Sequence, residues 1–267
     1  MRSKSKRYYD ISIATYVLAL LPFFVYFAIY GSLGLYPNYN VSSIDLKPLH
    51  DLELQLFGIM DGATKVIPGA YFQHHNHALL DLIAGFSYLC WLPVPMGYAL
   101  WLTREGRIDR ALRMGWGFLM VNLVGFVIYY VHPAAPPWYV INHGFEADFT
   151  TPGSCAGLAR FDALTHVPFY HAFYDKNANV FAAMPSLHAA YMFIATLYAM
   201  RYRANRWVLL IFWLITLGTW FAAVYSAHHY IIDVIAGIIV SLVGIALFEW
   251  LNRRYKLYVS PWGPDPL

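Results

Sequence analysis

Six stretches of the chain run apolar for about 20 residues, the length that crosses a hydrocarbon core as a helix. They are Ile11 to Leu33, Leu79 to Leu102, Ala111 to Val131, Phe181 to Met200, Trp207 to Tyr225 and Ile231 to Leu251. Inside a bilayer the backbone must satisfy its own hydrogen bonds, and uninterrupted apolar runs of this length do so as helices rather than barrel strands. The pattern therefore predicts an all-α polytopic membrane protein, a bundle of six transmembrane helices. Pro93 and Pro95 fall inside the second run and predict a kink there. The two long intervals, 34 to 78 and 132 to 180, are rich in Pro, Trp, Tyr and His rather than Gly and Ser, so they read as caps folded over the bundle and not as linkers. In the first of them "LHDLELQLFGI", residues 49 to 59, spaces Leu49, Leu52, Leu56 and Ile59 as on a short amphipathic helix, lying at the membrane interface or packed on the bundle.

Composition agrees with that pattern, at 59% hydrophobic and 12% charged residues. One integral membrane domain, 1–267, is expected, with its motif-bearing half at about 130–240. The partners expected are a bilayer and its lipids, not nucleic acid. The first run follows "MRSKSKR" but exceeds the apolar core of a signal peptide, and reads as an uncleaved span. Cys90 and Cys155 stand alone, without CxxC spacing, and make no disulfide framework. No internal repeat and no glycine-rich phosphate loop occurs, and no cofactor is implied. Charge sets the topology. With six spans, 14 of the 18 Lys and Arg residues fall on one side, which is expected to be cytoplasmic together with both termini. Lys47, Lys65, Arg160 and Lys176 fall opposite.

Ionisable residues then gather at the outer face. His132 closes the third span, His188 in "NVFAAMPSLHAAY" opens the fourth, and His229 and Asp233 in "YSAHHYIIDVIAG" open the sixth. Each alone is explained as a polar residue satisfied at a helix end; their shared depth on three spans points to a functional site. His229 and Asp233, four apart, share a helix face, so the carboxylate can hold a proton on one imidazole nitrogen and leave the other as a nucleophile. His188 is placed to protonate a departing oxygen. His228, about 100° further round, lacks such a carboxylate.

"PSLH" (Pro185 to His188) and "HYIID" (His229 to Asp233) resemble the motifs of the phosphatidic acid phosphatase type 2 superfamily. The resemblance implies a six-helix bundle in which His229 attacks phosphorus to give a phosphohistidine, Asp233 orients it, and His188 serves as general acid and then base, without a metal ion. The chain departs from the phosphatase pattern at Ala223, where an arginine is usual, and at Gly125 and His132-Pro133. There "HPAAPPWY" (132 to 139), "GLARFD" (157 to 162), "AMPSLHAAY" and "HHYIIDVIAG" are similar to the inositol phosphorylceramide synthase branch. That branch implies transfer of a phosphoinositol head group from a phospholipid donor to a lipid alcohol acceptor such as ceramide. Hydrolysis, with water as acceptor, is the alternative, and a transporter with a histidine proton relay is a further one.

Developing phosphoryl charge calls for cations or helix N-terminal N–H groups. The candidates for substrate binding are Lys65, Arg160 and Lys176, the helix start at Ser186, and Asp81 at the outer start of the second span. His132, Trp138 and Tyr139 in the proline-stiffened segment form a wall, which reads equally as an aromatic belt. "QHHNHALLD" clusters His74, His75 and His77, but its spacing matches no standard metal site, and no metal is expected.

Overall fold

A computed structural model describes residues 11–174 and 179–255. Lys176, Lys256 and the basic residues Arg2, Lys4, Lys6 and Arg7 lie outside them. Helix α1 (Ile13–Leu33) is followed by α2 (Lys47–Phe57), a hairpin of β1 (Ile59–Asp61) and β2 (Thr64–Val66), and α3 (Pro68–His74). Then come α4 (Ala78–Leu89), α5 (Pro93–Arg104), α6 (Ile108–Val131) and the short α7 (Pro137–His143), α8 (Ala159–Thr165) and α9 (Phe169–Tyr174). Three long helices complete the fold: α10 (Leu187–Arg201), α11 (Arg206–Tyr225) and α12 (Ile231–Tyr255). The chain is mostly helical, as its apolar pattern predicts. The one departure among the described residues is the hairpin, whose turn uses Gly62 at φ +61°, a conformation open to glycine at little cost.

The apolar runs resolve unevenly into spans. Helices α1, α6, α11 and α12 are each long and apolar enough to cross a bilayer. The run 79 to 102 is two helices, α4 and α5, bent by 47° at a break after Leu89. Pro93 and Pro95 sit in the first turn of α5, where a missing N–H costs nothing, so the prolines start a new helix rather than kink a continuous one. The run 181 to 200 also needs correction, because α10 begins only at Leu187. Pro185 has no N–H and disfavours helical backbone at Met184. The residues before it extend instead and pair with the proline-rich segment: Ala134 N–H donates to Phe181 O at 3.1 Å and Ala183 N–H to Ala134 O at 3.2 Å. Asp45 joins the same lacing, since its N–H donates to Pro133 O at 2.8 Å and its carbonyl accepts from Ala135 at 3.0 Å. Three segments distant in sequence are thus sewn together by backbone hydrogen bonds.

Helix α10 sits in the middle, packed on α6, α11 and α12, while α1 and α5 pack on α6 and α4 on α11. Its 15 residues reach about 22 Å at 1.5 Å per residue. Several polar groups on these helices pair across the bundle. Tyr191 of α10 donates to Asn122 of α6 at 2.9 Å and bonds Tyr26 of α1 at 3.0 Å. Near the other end, Glu249 of α12 takes Arg113 of α6 through Nε at 2.8 Å and through Nη2, with Arg201 of α10 at 3.5 Å. Helix α2 buries Leu49 and Glu53, four apart, and leaves Leu52 and Leu56 exposed, so its expected leucine stripe does not all face inward.

The start of α10 lies against α12 at Gly237, where a Cβ would run into the Ser186 carbonyl. At Gly31 on α1, by contrast, a Cβ would meet nothing within 4 Å. Gly237→Ala is therefore expected to destabilise by about 1–3 kcal/mol, the usual cost of overpacking. Gly31→Ala is expected to be neutral or stabilising. Thermal unfolding of both variants in one detergent checks the contrast.

Candidate active site

The turn between α11 and α12 carries two histidines. Ala227 takes a positive φ of 58°, and the N–H groups of His228 and His229 both donate to Ala223 O, at 3.1 and 2.9 Å. His229 therefore precedes α12 rather than sharing a helical face with Asp233, as the four-residue spacing suggests. The two still meet, with His229 Nδ1 at 3.5 Å from Asp233 Oδ2. A closer partner is the Ala183 carbonyl, at 3.0 Å from the same nitrogen. Both partners only accept, so Nδ1 carries the proton and Nε2 keeps its lone pair.

Asp233 does more than face the histidine. Its Oδ2 accepts from Tyr230 N at 2.9 Å, and its backbone carbonyl accepts from Ser186 N at 2.9 Å. Ser186 in turn caps α10, its Oγ accepting from Ala189 N at 3.3 Å. The residue that starts α12 thus also fixes the start of α10, where His188 stands in the first turn. The His188 ring stacks on Tyr88 at 4.8 Å and meets Trp91 edge-on at 5.1 Å. Its centroid is 5.8 Å from that of His229, so one bound group can touch both.

Both rings line a cavity of about 380 Å³. His228 and Trp138 line it too, and Tyr26, Phe27, Tyr30 and Phe173 give it aromatic walls. Phe27, Tyr30 and Phe173 are also partly exposed on the outside of the bundle, so the cavity reaches the surface that lipid would cover. Among the described residues no Lys or Arg lines it.

The other sequence candidates lie around the cavity rather than on it. His132 Nε2 is 3.3 Å from Asp45 Oδ2. Tyr139 is buried behind Trp138, donating to Glu146 O at 2.8 Å and accepting from Asp148 N at 2.7 Å. Arg160 Nε pairs with Asp81 Oδ1 at 2.6 Å, and the same carboxylate oxygen accepts from Tyr225 at 2.9 Å. Lys65 reaches back from the hairpin to Gln55 O at 3.1 Å. Lys176 lies outside the described residues. Of the histidine run, His75 bonds Asp61 at 3.0 Å and His77 caps α4, and no metal-holding group of three ligands occurs among the described residues.

Glu53 is the residue that sequence reading missed. It is 1% exposed on α2, and its two oxygens accept from Ile231 N at 2.9 Å and Ile232 N at 3.2 Å. Burial raises its carboxyl pKa, and the two N–H bonds oppose that rise. With Asp233 it covers the first N–H groups of α12, the ones a helix cannot pair itself. Its one sequence signal is a carboxylate at the position four after Leu49 on a buried face.

Residues 64–247 match the sequence profile of the PAP2 superfamily. The chain belongs to that superfamily, as a helical integral membrane protein with histidines gathered over a cavity. Within it the chain falls in the inositol phosphorylceramide synthase branch, as an enzyme of that synthase-like phosphotransferase type. It is 48% identical to a phosphoinositol dihydroceramide synthase of Bacteroides thetaiotaomicron over 233 residues, 87% of this chain and 76% of that one. It is 30% identical to an inositol phosphorylceramide synthase of Candida albicans over 246 residues, 90% of this chain and 49% of that one. The catalytic subunit of the Saccharomyces cerevisiae synthase is 28% identical over 230 residues, 84% of this chain and 54% of that one. The chain thus spans about half the length of these fungal relatives. No solved structure matches it significantly.

Glu53→Ala would strand two buried N–H groups, at a cost of about 1–3 kcal/mol. We expect a lower unfolding temperature and reduced turnover, with Glu53→Gln, which keeps one acceptor, in between. Unfolding and rate assays on the two purified variants read this out. Equal behaviour of Glu53→Ala and wild type would mean that the α12 start does not depend on α2.

Proposed function

We propose that the chain transfers a phosphoinositol head group from a phospholipid to the hydroxyl of a ceramide-type lipid, through a phosphohistidine on His229. The observation that carries the reading is the pair of histidine rings facing one aromatic cavity, with the proton of His229 committed to Nδ1. The names of the relatives supply the donor and acceptor classes.

The lone pair on His229 Nε2 attacks phosphorus, and the bond from phosphorus to the diacylglycerol oxygen breaks. His188, protonated for this step, gives its proton to that oxygen. Neutral His188 then takes the proton of the incoming alcohol, whose oxygen attacks phosphorus. The phosphorus–nitrogen bond breaks and His229 returns to its starting state. Asp233, beside Nδ1–H, stabilises the positive charge on His229 as it attacks, and the Ala183 carbonyl holds the ring. The apolar walls favour lipid alcohol over water as the acceptor. A phosphodiester donor carries less charge than a monoester, in keeping with a cavity free of Lys and Arg among the described residues.

The topology proposed with this reading has six spans, α10 being a short one buried among its neighbours, both termini cytoplasmic and the cavity on the extracytoplasmic face. The distribution of Lys and Arg supports it. A cysteine introduced at Asp148, which lies in an outer interval, is expected to react with an impermeant reagent from outside intact cells. Labelling only after the cytoplasmic side is opened would reverse the orientation.

His188→Ala, His229→Ala and Asp233→Ala are each expected to remove most turnover, and paired changes to add little, because groups acting as one unit are not additive. Mass spectrometry of products from phosphatidylinositol, with and without ceramide, checks both the variants and the acceptor. Free inositol phosphate as the main product in the presence of ceramide would replace transfer by hydrolysis. Wild-type turnover in His229→Ala would overturn the assignment of the nucleophile.

A further inference from the structure

His228 lines the same cavity as the two reacting histidines and has no part in the steps above. Its ring packs against Tyr174 at 4.7 Å and Tyr88 at 5.7 Å. Its Nδ1 lies 2.9 Å from Ser226 Oγ. That hydroxyl has one hydrogen, which it donates to Ala222 O at 2.7 Å. With that hydrogen on Ala222 O, Ser226 Oγ accepts from His228, so Nδ1 carries the proton and Nε2 is bare. Burial, and then the neighbouring His229, push the His228 pKa down to about 3, so the ring stays neutral at ordinary pH.

The bare Nε2 is buried and has no hydrogen-bond partner among the described residues. Ser154 is a neighbour, but its backbone carbonyl is an acceptor and cannot satisfy a lone pair. What Nε2 lacks is a donor. Ser154 and Asn179 share the cavity lining with the three histidines, and no Asp, Glu, Lys or Arg does so among the described residues. Such a wall suits a neutral polyol, whose hydroxyls both donate and accept.

We propose that His228 is a specificity-determining residue, its Nε2 accepting a hydrogen bond from one hydroxyl of the head group carried by the donor lipid. The assignment rests on the phosphoinositol transfer proposed above. It separates the roles of the adjacent histidines: His229 makes the bond to phosphorus, and His228 reads the hydroxylated group attached to it. The serine is part of the device, because only the Ser226 contact fixes which nitrogen of His228 is bare.

The test pairs protein and lipid changes. Wild type, His228→Phe and His228→Gln are each given phosphatidylinositol and analogues lacking one ring hydroxyl at a time, with ceramide as acceptor, and kcat and KM are measured. A single neutral hydrogen bond predicts that wild type handles one particular analogue with kcat/KM lower by roughly 2- to 12-fold. His228→Phe, which has no ring nitrogen, is expected to lose that discrimination and treat the analogue like the parent lipid. His228→Gln, whose amide oxygen can take the place of Nε2, is expected to restore part of it. Discrimination by His228→Phe equal to that of wild type, or no discrimination by wild type among the analogues, would overturn the role of His228 while leaving transfer intact. Failure of wild type to use phosphatidylinositol at all would instead overturn the function on which the assignment rests.

Discussion

A helix that begins at the edge of a bilayer has N–H groups with no partner of their own, and at the start of α12 the whole site hangs on how they are satisfied. Two carboxylates do it. Asp233 takes Tyr230 N and Glu53 takes Ile231 N and Ile232 N. Because the Asp233 carbonyl also holds Ser186 N, the same joint sets where α10 begins. His188 and His229 come from elements separated by some forty residues, yet their separation is fixed by one aspartate. Gly237 permits this closeness by leaving room for the Ser186 carbonyl. The segments laced through Asp45, Ala134 and Phe181 then bring Ala183 to His229 and Trp138 to the cavity wall.

The bundle beneath serves that joint. Glu249 lies 16 residues after Asp233 on α12, about 24 Å along the helix, and there it binds arginines from α6 and α10. These three helices are thus tied by charge near one end, and α12 is tied to α10 and α2 by backbone and carboxylate contacts near the other. Between the two lie Phe118, Met192 and Val240 in one apolar cluster, with the Tyr26–Tyr191–Asn122 bonds running through it. A framework held at both ends can keep two imidazoles at one spacing while lipids exchange in front of them. The cavity's aromatic walls, partly exposed at Phe27 and Phe173, suit substrates whose tails remain in the membrane.

Much of this was legible in the residues. Four apolar runs became single long helices, α1 with Pro22 inside it. The other two did not, and in both cases proline decided it: Pro93 starts α5 and Pro185 delays α10. The spacing of His229 and Asp233 pointed to their proximity, but for an incomplete reason, since the histidine stands in a turn and the aspartate caps a helix. Sequence could not show the Ala183 carbonyl, which reaches His229 only through the folding of the laced segments. Nor could it show Glu53, 178 positions from the N–H group it bonds most closely. Arg160 looked like a free outer cation, yet its Nε is held by Asp81, four residues into the helical region that follows "QHHNH".

In the proposed reaction His229 is held with its proton on Nδ1, so that Nε2 alone can attack. The most direct measurement is to mix the purified enzyme with phosphatidylinositol labelled in its phosphate, without an acceptor, quench under alkaline conditions that preserve phosphohistidine, and locate the label by mass spectrometry and phosphorus NMR. Phosphoinositol is expected on His229, bonded to Nε2, and discharged when ceramide is added. Label on His188 or His228, or on Nδ1 of His229, would contradict it.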